Sequence, residues 1–220
     1  MIRAVRRRKK KEEMSGYIFL GIMGFVVGLS GAMMPGPMLV YTISQVLEKK
    51  KESVFWIVCG HMCIEAVMII LILLGLKQLI GSKAVYNTVS LLGAVGLIFM
   101  GTTIIIRAKK IKLAFGENLN FTSGLVTGGI FCTAFNPTFP LWWVSIGASL
   151  LSRALLAGAL GVMALVFGHW LADLGWYSMV ASAVGRGKLW LNERRFQICL
   201  KILGVILLGM GFWFIMQVKK

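Results

Sequence analysis

The sequence predicts an all-α membrane protein with six transmembrane helices, arranged as two inverted three-helix repeats. Three features support this: composition, six long apolar runs and an internal repeat. Of the 220 residues, 58% are hydrophobic and only 8 are acidic, and the mean hydropathy is +0.82. A water-soluble domain this apolar would aggregate, so the composition indicates an integral membrane protein.

Polar or basic connections separate the six apolar runs, each of which reaches or approaches the roughly 20 residues that span a bilayer. The runs cover about residues 17–47, 54–76, 84–106, 119–151, 154–181 and 198–218. We expect residues 1–16 to form a basic N-terminal extension and residues 17–218 to form one six-span transporter domain. Its repeats are expected at about residues 17–106 and 119–218.

The basic residues bear on orientation and on partners. Connections one, three and five are the most basic, which favours both termini outside, whereas the cluster from Arg3 to Lys11 favours the opposite. Translation that starts at Met14 would remove this conflict. Despite the net charge of +16, no basic face with interleaved aromatic residues is present, so nucleic acid is not an expected partner. The expected surroundings are the lipid bilayer of the cell membrane.

The two halves of the chain share landmarks in the same order. The matched positions are Gly24, Gly28 and Pro37 with Gly124, Gly128 and Pro137; Gly60, His61 and Glu65 with Gly168, His169 and Asp173; and Leu92-Gly93 with Leu203-Gly204. Because each half holds three spans, the second half must enter the membrane from the opposite side. Inverted repeats of this kind are typical of secondary transporters, whose sites lie at the repeat interface.

Proline motifs lie inside the first and fourth runs, and we expect helices 1 and 4 to be broken there. Proline removes a backbone donor, and the freed backbone groups must face protein or a wet cavity instead of lipid. A half-helix that begins at Pro37 would direct its positive end towards a carboxylate, although a kink that serves packing is the alternative. Asn136 either hydrogen-bonds a substrate amine or caps the broken helix. The predicted substrate-binding residues are Pro35, Gly36, Pro37, Asn136, Pro137 and Thr138.

Two pairs of ionisable residues lie within the apolar runs. His61 and Glu65 are four residues apart, as are His169 and Asp173, so each pair shares one helix face. Intramembrane charges are costly and mark pathways, proton relays or counter-ions by default. Histidine titrates near neutral pH, so these four residues are the predicted ion-coupling residues, with protons as the coupling ion. A structural pair that ties helices together is the alternative.

Other function classes find less support in the sequence. The four cysteines lie in or beside apolar runs and form no C-x-x-C pair, although Cys59 and Cys63 near His61 leave a soft-metal site conceivable. We predict no resident metal and no cofactor. No phosphate-binding loop is present, so transport would be driven by a gradient or a partner. No nucleophile–base arrangement is evident, and we do not expect an enzyme.

These residues together resemble the LysE/RhtB family of amino-acid exporters. The resemblance rests on Pro35-Gly36-Pro37, Asn136-Pro137, Asp173 with Trp176, and the final span with Leu203-Gly204 and Gly209-x-Gly211. Family members are small six-span inner-membrane proteins that export amino acids or related metabolites by proton antiport. The resemblance therefore implies export of a small, amino-acid-like zwitterion. The oligomeric state stays open, with a homodimer as one candidate.

The sequence departs from the family pattern at two places. The family commonly has Lys after Asn-Pro, where this chain has Thr138, and the paired His61 and His169 are not typical of members. Both departures lie where substrate would be handled, so the substrates of familiar members are not transferred. The wider superfamily includes metal-ion exporters. This keeps a second alternative open, with His61, Cys59, Cys63 and His169 as ligands.

Overall fold

A computed structural model describes residues 2–34, 36–48, 52–76, 79, 82–108, 122–188 and 192–218. The regular structure in these ranges is helical throughout. The helices are α1 (Ile2–Ala32), α2 (Pro37–Glu48), α3 (Ser53–Leu73), α4 (Lys83–Ala108), α5 (Thr122–Ala134), α6 (Thr138–Trp142), a π-helix (Trp143–Gly147), α7 (Ala148–Leu155), α8 (Gly158–Lys188) and α9 (Glu193–Val218).

Five of these helices are long and apolar enough to cross a membrane, which agrees with a multi-pass membrane protein. The candidate spans are Lys11–Ala32, Ser53–Leu73, Lys83–Ile106, Gly158–Gly187 and Glu193–Met216. The fourth predicted run is not one long helix, because it consists of α5, α6, the π-helix and α7. Helix α1 begins at Ile2, so the expected N-terminal extension is helical and continuous with the first span.

The helix breaks lie at the two proline motifs. Helix α1 ends at Ala32 and α2 begins at Pro37, a first-turn position where the missing backbone donor costs nothing. Helix α5 ends at Ala134 and α6 begins at Thr138, with Pro137 in the turn between them. Pro35, which was predicted to take part in the first break, lies outside the described residues.

The chain divides into two compact units, and neither coincides with a predicted repeat. The first unit comprises residues 1–34 and 142–176, and the second comprises residues 35–141 and 177–220. Helix α8 contributes to both. Each unit combines segments of both sequence halves, because helix packing joins segments that are distant along the chain.

In the first unit, α1 and α8 cross at glycines. A Cβ atom on Gly168 would overlap the carbonyl oxygen of Gly21, and one on Gly24 would overlap that of Leu165. Small residues of this kind let two membrane helices approach closely. Gly158, with φ of +72°, allows the turn from α7 into α8.

In the second unit, α3 and α5 cross in the same manner. A Cβ atom on Gly60 would overlap the carbonyl oxygen of Val126, and one on Gly129 would overlap that of Ile57. Helices α4 and α9 pack along each other and, together with α2, build the main apolar cluster. Its members are Val40, Leu47, Ala94, Leu97, Ile104, Ala108, Leu200, Leu203, Leu207 and Phe214.

Large apolar side chains also cover much of the outer surface. Phe99 is 72% exposed and Leu156 is 90% exposed. In water such exposure would favour aggregation, whereas in a bilayer these side chains contact lipid.

Candidate functional site

The first histidine–carboxylate pair lies on α3, one helical turn from His61 to Glu65. The Nε2 atom of His61 lies 3.3 Å from Oε1 of Glu65. The Glu65 residue is only 1% exposed. A Cβ atom on Gly60, the residue before His61, would overlap the backbone of α5, so α3 lies close to that helix beside the imidazole.

Helix α5 supplies the partner of the other ring nitrogen. The Nδ1 atom of His61 lies 2.8 Å from Oγ1 of Thr133, across 72 residues of sequence. The Thr133 hydroxyl also lies 2.8 Å from the carbonyl oxygen of Gly129, one turn earlier on the same helix. The Phe139 ring packs edge-on against the imidazole, with the ring centroids 6.0 Å apart. The result is a connected row from Gly129 through Thr133 and His61 to Glu65.

At the second proline break, Asn136 caps the helix that follows it. Oδ1 of Asn136 accepts hydrogen bonds from the Thr138 backbone N–H at 3.1 Å and from the Thr138 hydroxyl at 2.8 Å. Of the two roles that the sequence left open for Asn136, the structure shows the cap. Two bonds fill the acceptor capacity of the amide oxygen.

The two breaks contribute neighbouring segments to the second unit. The Met38 sulfur, in the first turn of α2, lies 4.0 Å from Oγ1 of Thr133, near the end of α5. Pro37 and Pro137 are buried, while Gly36, Asn136 and Thr138 are half-buried. The described residues from the two motifs therefore flank one region beside the first histidine–carboxylate pair.

The second histidine–carboxylate pair lies on α8 in the first unit. The Nε2 atom of His169 lies 3.6 Å from Oδ2 of Asp173, and the two residues are 5% and 1% exposed. The rings of Trp142 and Trp143 pack on the imidazole at centroid distances of 5.2 and 5.1 Å. A Cβ atom on Gly28 would lie 2.6 Å from Nδ1 of His169, so this glycine makes room for the ring.

A small cavity borders the second pair. Its volume is about 10 Å³, room for about one water molecule. The lining includes His169, Trp142, Trp143 and Gly147. The indole N–H of Trp142 is buried and has no hydrogen-bond partner among the described residues. The π-helix begins at Trp143, and π-helical turns are frequent at functional sites.

The metal alternative involves Cys59 and Cys63, which lie on α3 with His61. Cys59 is half-buried and Cys63 is exposed, and none of the four cysteines forms a disulfide in the structure. Both His61 nitrogens already contact oxygen atoms, those of Thr133 and Glu65. A metal bound at His61 would have to replace one of these contacts.

Three kinds of residue escaped the sequence analysis. Thr133 was missed because the offset of 100 pairs it with Met33, which gives no matching polar residue. Phe139 follows the second proline motif and is not among the predicted site residues. Trp142 and Trp143 are not among them either, but they are buried against His169. Their position beside a proline break was the signal that could have indicated a site.

Comparison with known proteins gives one match. A family model described as LysE type translocator matches residues 29–218, which include both histidine–carboxylate pairs and the predicted substrate-binding residues. No curated protein and no solved structure gives a significant match to the chain.

Proposed function

The chain belongs to the LysE type translocator family, and we propose that it exports amino acids or similar small zwitterionic metabolites in exchange for protons. Family membership makes it a multi-pass membrane protein that transports small molecules across the lipid bilayer. The family consists of transporters, not enzymes. The substrate class, the direction and the coupling ion are the proposed part.

The proposed architecture is six spans in two inverted repeats. It is supported by the ordered sequence landmarks and by the two helix crossings. In the second unit Gly60 on α3 meets α5, and in the first unit its sequence counterpart Gly168 on α8 meets α1. Each crossing therefore joins the second span of one half to the first span of the other. Reciprocal exchange of this kind is expected when two repeats are related by an axis in the membrane plane.

The proposed substrate site lies at the proline breaks. The substrate carboxylate would meet the amino-terminal end of α2, beside Gly36 and Pro37. Pro37 has no backbone N–H, so the other N–H groups of the first turn would attract the anion. Pro137 would keep the chain from continuing as a helix at the second break, and Pro35 stays a sequence-based prediction. Asn136 would reach the substrate amine only if its oxygen released the Thr138 hydroxyl, so capping and binding compete.

The proposed coupling groups are the two histidine–carboxylate pairs. One observation carries this proposal: each half of the sequence buries a carboxylate within 4 Å of a histidine, and both carboxylates are 1% exposed. Burying an acid in a membrane protein costs about 2.5–3.5 kcal/mol or more, which a purely structural contact rarely justifies twice. Uptake of a proton by each histidine–carboxylate pair from one side of the membrane, and its release to the other side, would drive the exchange.

Purified protein in lipid vesicles tests this function directly. Vesicles are loaded with the twenty proteinogenic amino acids, a pH gradient is imposed, and released amino acids are identified by mass spectrometry. We expect Glu65→Gln combined with Asp173→Asn to lower gradient-driven release by about 100-fold or more, as for loss of a proton-transfer group. Unchanged release would remove both acids from the coupling role.

The chain offers a matched control in two acids at helix ends. Glu52→Gln combined with Glu193→Gln also removes two negative charges, but both residues are exposed. This variant should release amino acids at the rate of the unmodified protein. Vesicles loaded with Ni²⁺ or Cd²⁺ instead of amino acids test the metal-export alternative in the same assay.

A further inference from the structure

The Thr133 hydroxyl stands between two acceptors at equal distance. It carries one hydrogen, while the carbonyl oxygen of Gly129 and Nδ1 of His61 each lie 2.8 Å away. A hydroxyl donates one hydrogen bond and accepts through its lone pairs. It can therefore donate to Gly129 while accepting from a protonated Nδ1, or donate to an unprotonated Nδ1. The Met38 sulfur at 4.0 Å is a third and weaker acceptor.

We propose that rotation of the Thr133 hydroxyl lets the His61–Glu65 pair take up and release a proton without displacing any heavy atom. Thr133 is then a positioning residue, acting through His61. The inference rests on the proposed proton coupling and names a residue that sets how the first pair performs it.

In the state with one proton, Glu65 is ionised and neutral His61 carries its proton on Nε2. Nε2–H donates to Glu65, and the Thr133 O–H donates to the lone pair of Nδ1. The pair carries a net charge of −1. Both ring nitrogens of His61, Oε1 of Glu65 and the Thr133 hydroxyl then have partners, as buried polar groups require.

In the state with two protons, a proton from the aqueous side bonds to Nδ1. The new Nδ1–H donates to Oγ1 of Thr133, and the hydroxyl hydrogen turns to the carbonyl oxygen of Gly129. A carbonyl oxygen has a second lone pair for this bond besides the one used in the helix. The pair is now neutral as imidazolium and carboxylate. Release of the Nδ1 proton to the other side restores the first state.

Other titratable groups lie on the elements around this row. Helix α3 carries Cys59 and Cys63, α5 carries Cys132, and α2 carries Tyr41 and Glu48. Thiols and the tyrosine hydroxyl ordinarily titrate above neutral pH. The acid of the second pair, Asp173, is replaced by Asn in a parallel sample so that its titration does not enter the result.

The experiment observes the imidazole nitrogens themselves. Protein labelled with ¹⁵N-histidine is placed in lipid nanodiscs, and nitrogen chemical shifts are recorded across pH. The chain has only 2 histidines, so His169→Gln assigns the signals of His61. In the unmodified protein we expect the Nε2–H tautomer at high pH and imidazolium at low pH.

Thr133→Val removes the hydroxyl with little change of shape. The imidazolium would then present Nδ1–H to a methyl group. The proton concentration at which half of His61 is protonated should therefore be about tenfold higher than in the unmodified protein. Thr133→Ser should behave as the unmodified protein. Thr127→Val is the matched control, since the Thr127 hydroxyl donates to Gly124 at 3.2 Å on the same helix and should not affect His61.

Equal titration of His61 in Thr133→Val and the unmodified protein would overturn the inference. Amino-acid exchange at equal pH on both sides shows that the variant is folded, and Thr133→Ala replaces it if exchange is lost. Failure of the proposed function is read from a different sample, as unmodified vesicles that release no amino acid under a pH gradient. The two failures are therefore distinguishable.

Discussion

The two histidine–carboxylate pairs share a motif and differ in what surrounds the imidazole. In the second unit, His61 is joined through Thr133 to a backbone carbonyl and touches one aromatic ring edge-on. In the first unit, His169 packs on two indole rings and fits into the space that Gly28 leaves open. The first imidazole lies in a hydrogen-bonded row, whereas the second lies in an aromatic socket.

This difference teaches that a repeated motif need not have a repeated role. A hydroxyl that can reverse its hydrogen bond suits repeated gain and loss of a proton. Two indoles packed around a ring restrict its orientation, and aromatic pairs contribute about 0.5–1.5 kcal/mol beyond simple burial. We infer a proton-handling first pair and a more rigid second pair.

Single substitutions of the two acids should show the largest effect. We expect Glu65→Gln to reduce pH-gradient-driven release by about 100-fold and Asp173→Asn by about tenfold, because only Glu65 belongs to the row through Thr133. Release from vesicles measures both variants under one gradient. Equal losses would mean that the two pairs contribute equally to proton coupling despite their different surroundings.

Substitutions of the aromatic neighbours should have an intermediate effect on release. Here the larger loss is expected at the second pair, His169 and Asp173. Trp143→Leu removes one wall of the His169 socket and should lower release by about tenfold, equivalent to about 1.4 kcal/mol. Phe139→Leu should lower it less than about threefold, since the His61 ring keeps both polar contacts. Initial rates of release provide the measurement.

The control for this comparison is Trp56→Leu, at a tryptophan that is 40% exposed and stacks edge-on with Phe55. It should leave the rate unchanged. A larger loss from Phe139→Leu than from Trp143→Leu would contradict the inference that the second pair, His169 and Asp173, is the more rigid one.

Alanine substitutions at the glycines of the two helix crossings should produce the smallest difference between the two halves, because both should lower stability by a similar amount. Gly60→Ala and Gly168→Ala each force a Cβ atom against a backbone carbonyl, and each should cost about 1–3 kcal/mol of stability. Thermal unfolding in detergent micelles gives the two midpoints. Similar losses would show that the crossings are equivalent and that the halves differ in chemistry, not in packing.

A glycine further along α8 separates this packing effect from helix propensity. A Cβ atom on Gly175 would meet nothing within 4 Å. Gly175→Ala should therefore leave the midpoint unchanged or raise it, because alanine is favoured over glycine in a helix by about 0.5–1 kcal/mol. A lowered midpoint would contradict the close-packing explanation.

Much of the fold followed from local patterns. The membrane class, five of the six predicted spans and the interruptions at Pro37 and Asn136-Pro137 agree with the structure, because apolar length and proline chemistry act within a few residues. The sequence did not predict that the fourth run would contain a π-helix. Nor did it predict that each compact unit would combine segments of both predicted repeats.

In the candidate site too, contacts within one helix were predicted and contacts between helices were not. The pairing of His61 with Glu65 and of His169 with Asp173 was readable, because residues four apart on a helix lie on one face. Thr133 was not readable, since it lies 72 residues from His61 and meets it only where Gly60 and Gly129 let α3 and α5 approach.

The sequence by itself therefore determined a multi-pass helical transporter, the positions of its breaks and the spacing of its two buried pairs. Only the tertiary structure decided that Thr133 completes the row at His61 and that Trp142 and Trp143 enclose His169. The physical reason is the separation along the chain over which each interaction acts. Helical periodicity and proline act along the chain, whereas the partner of a buried ring depends on which helices pack together and at what depth.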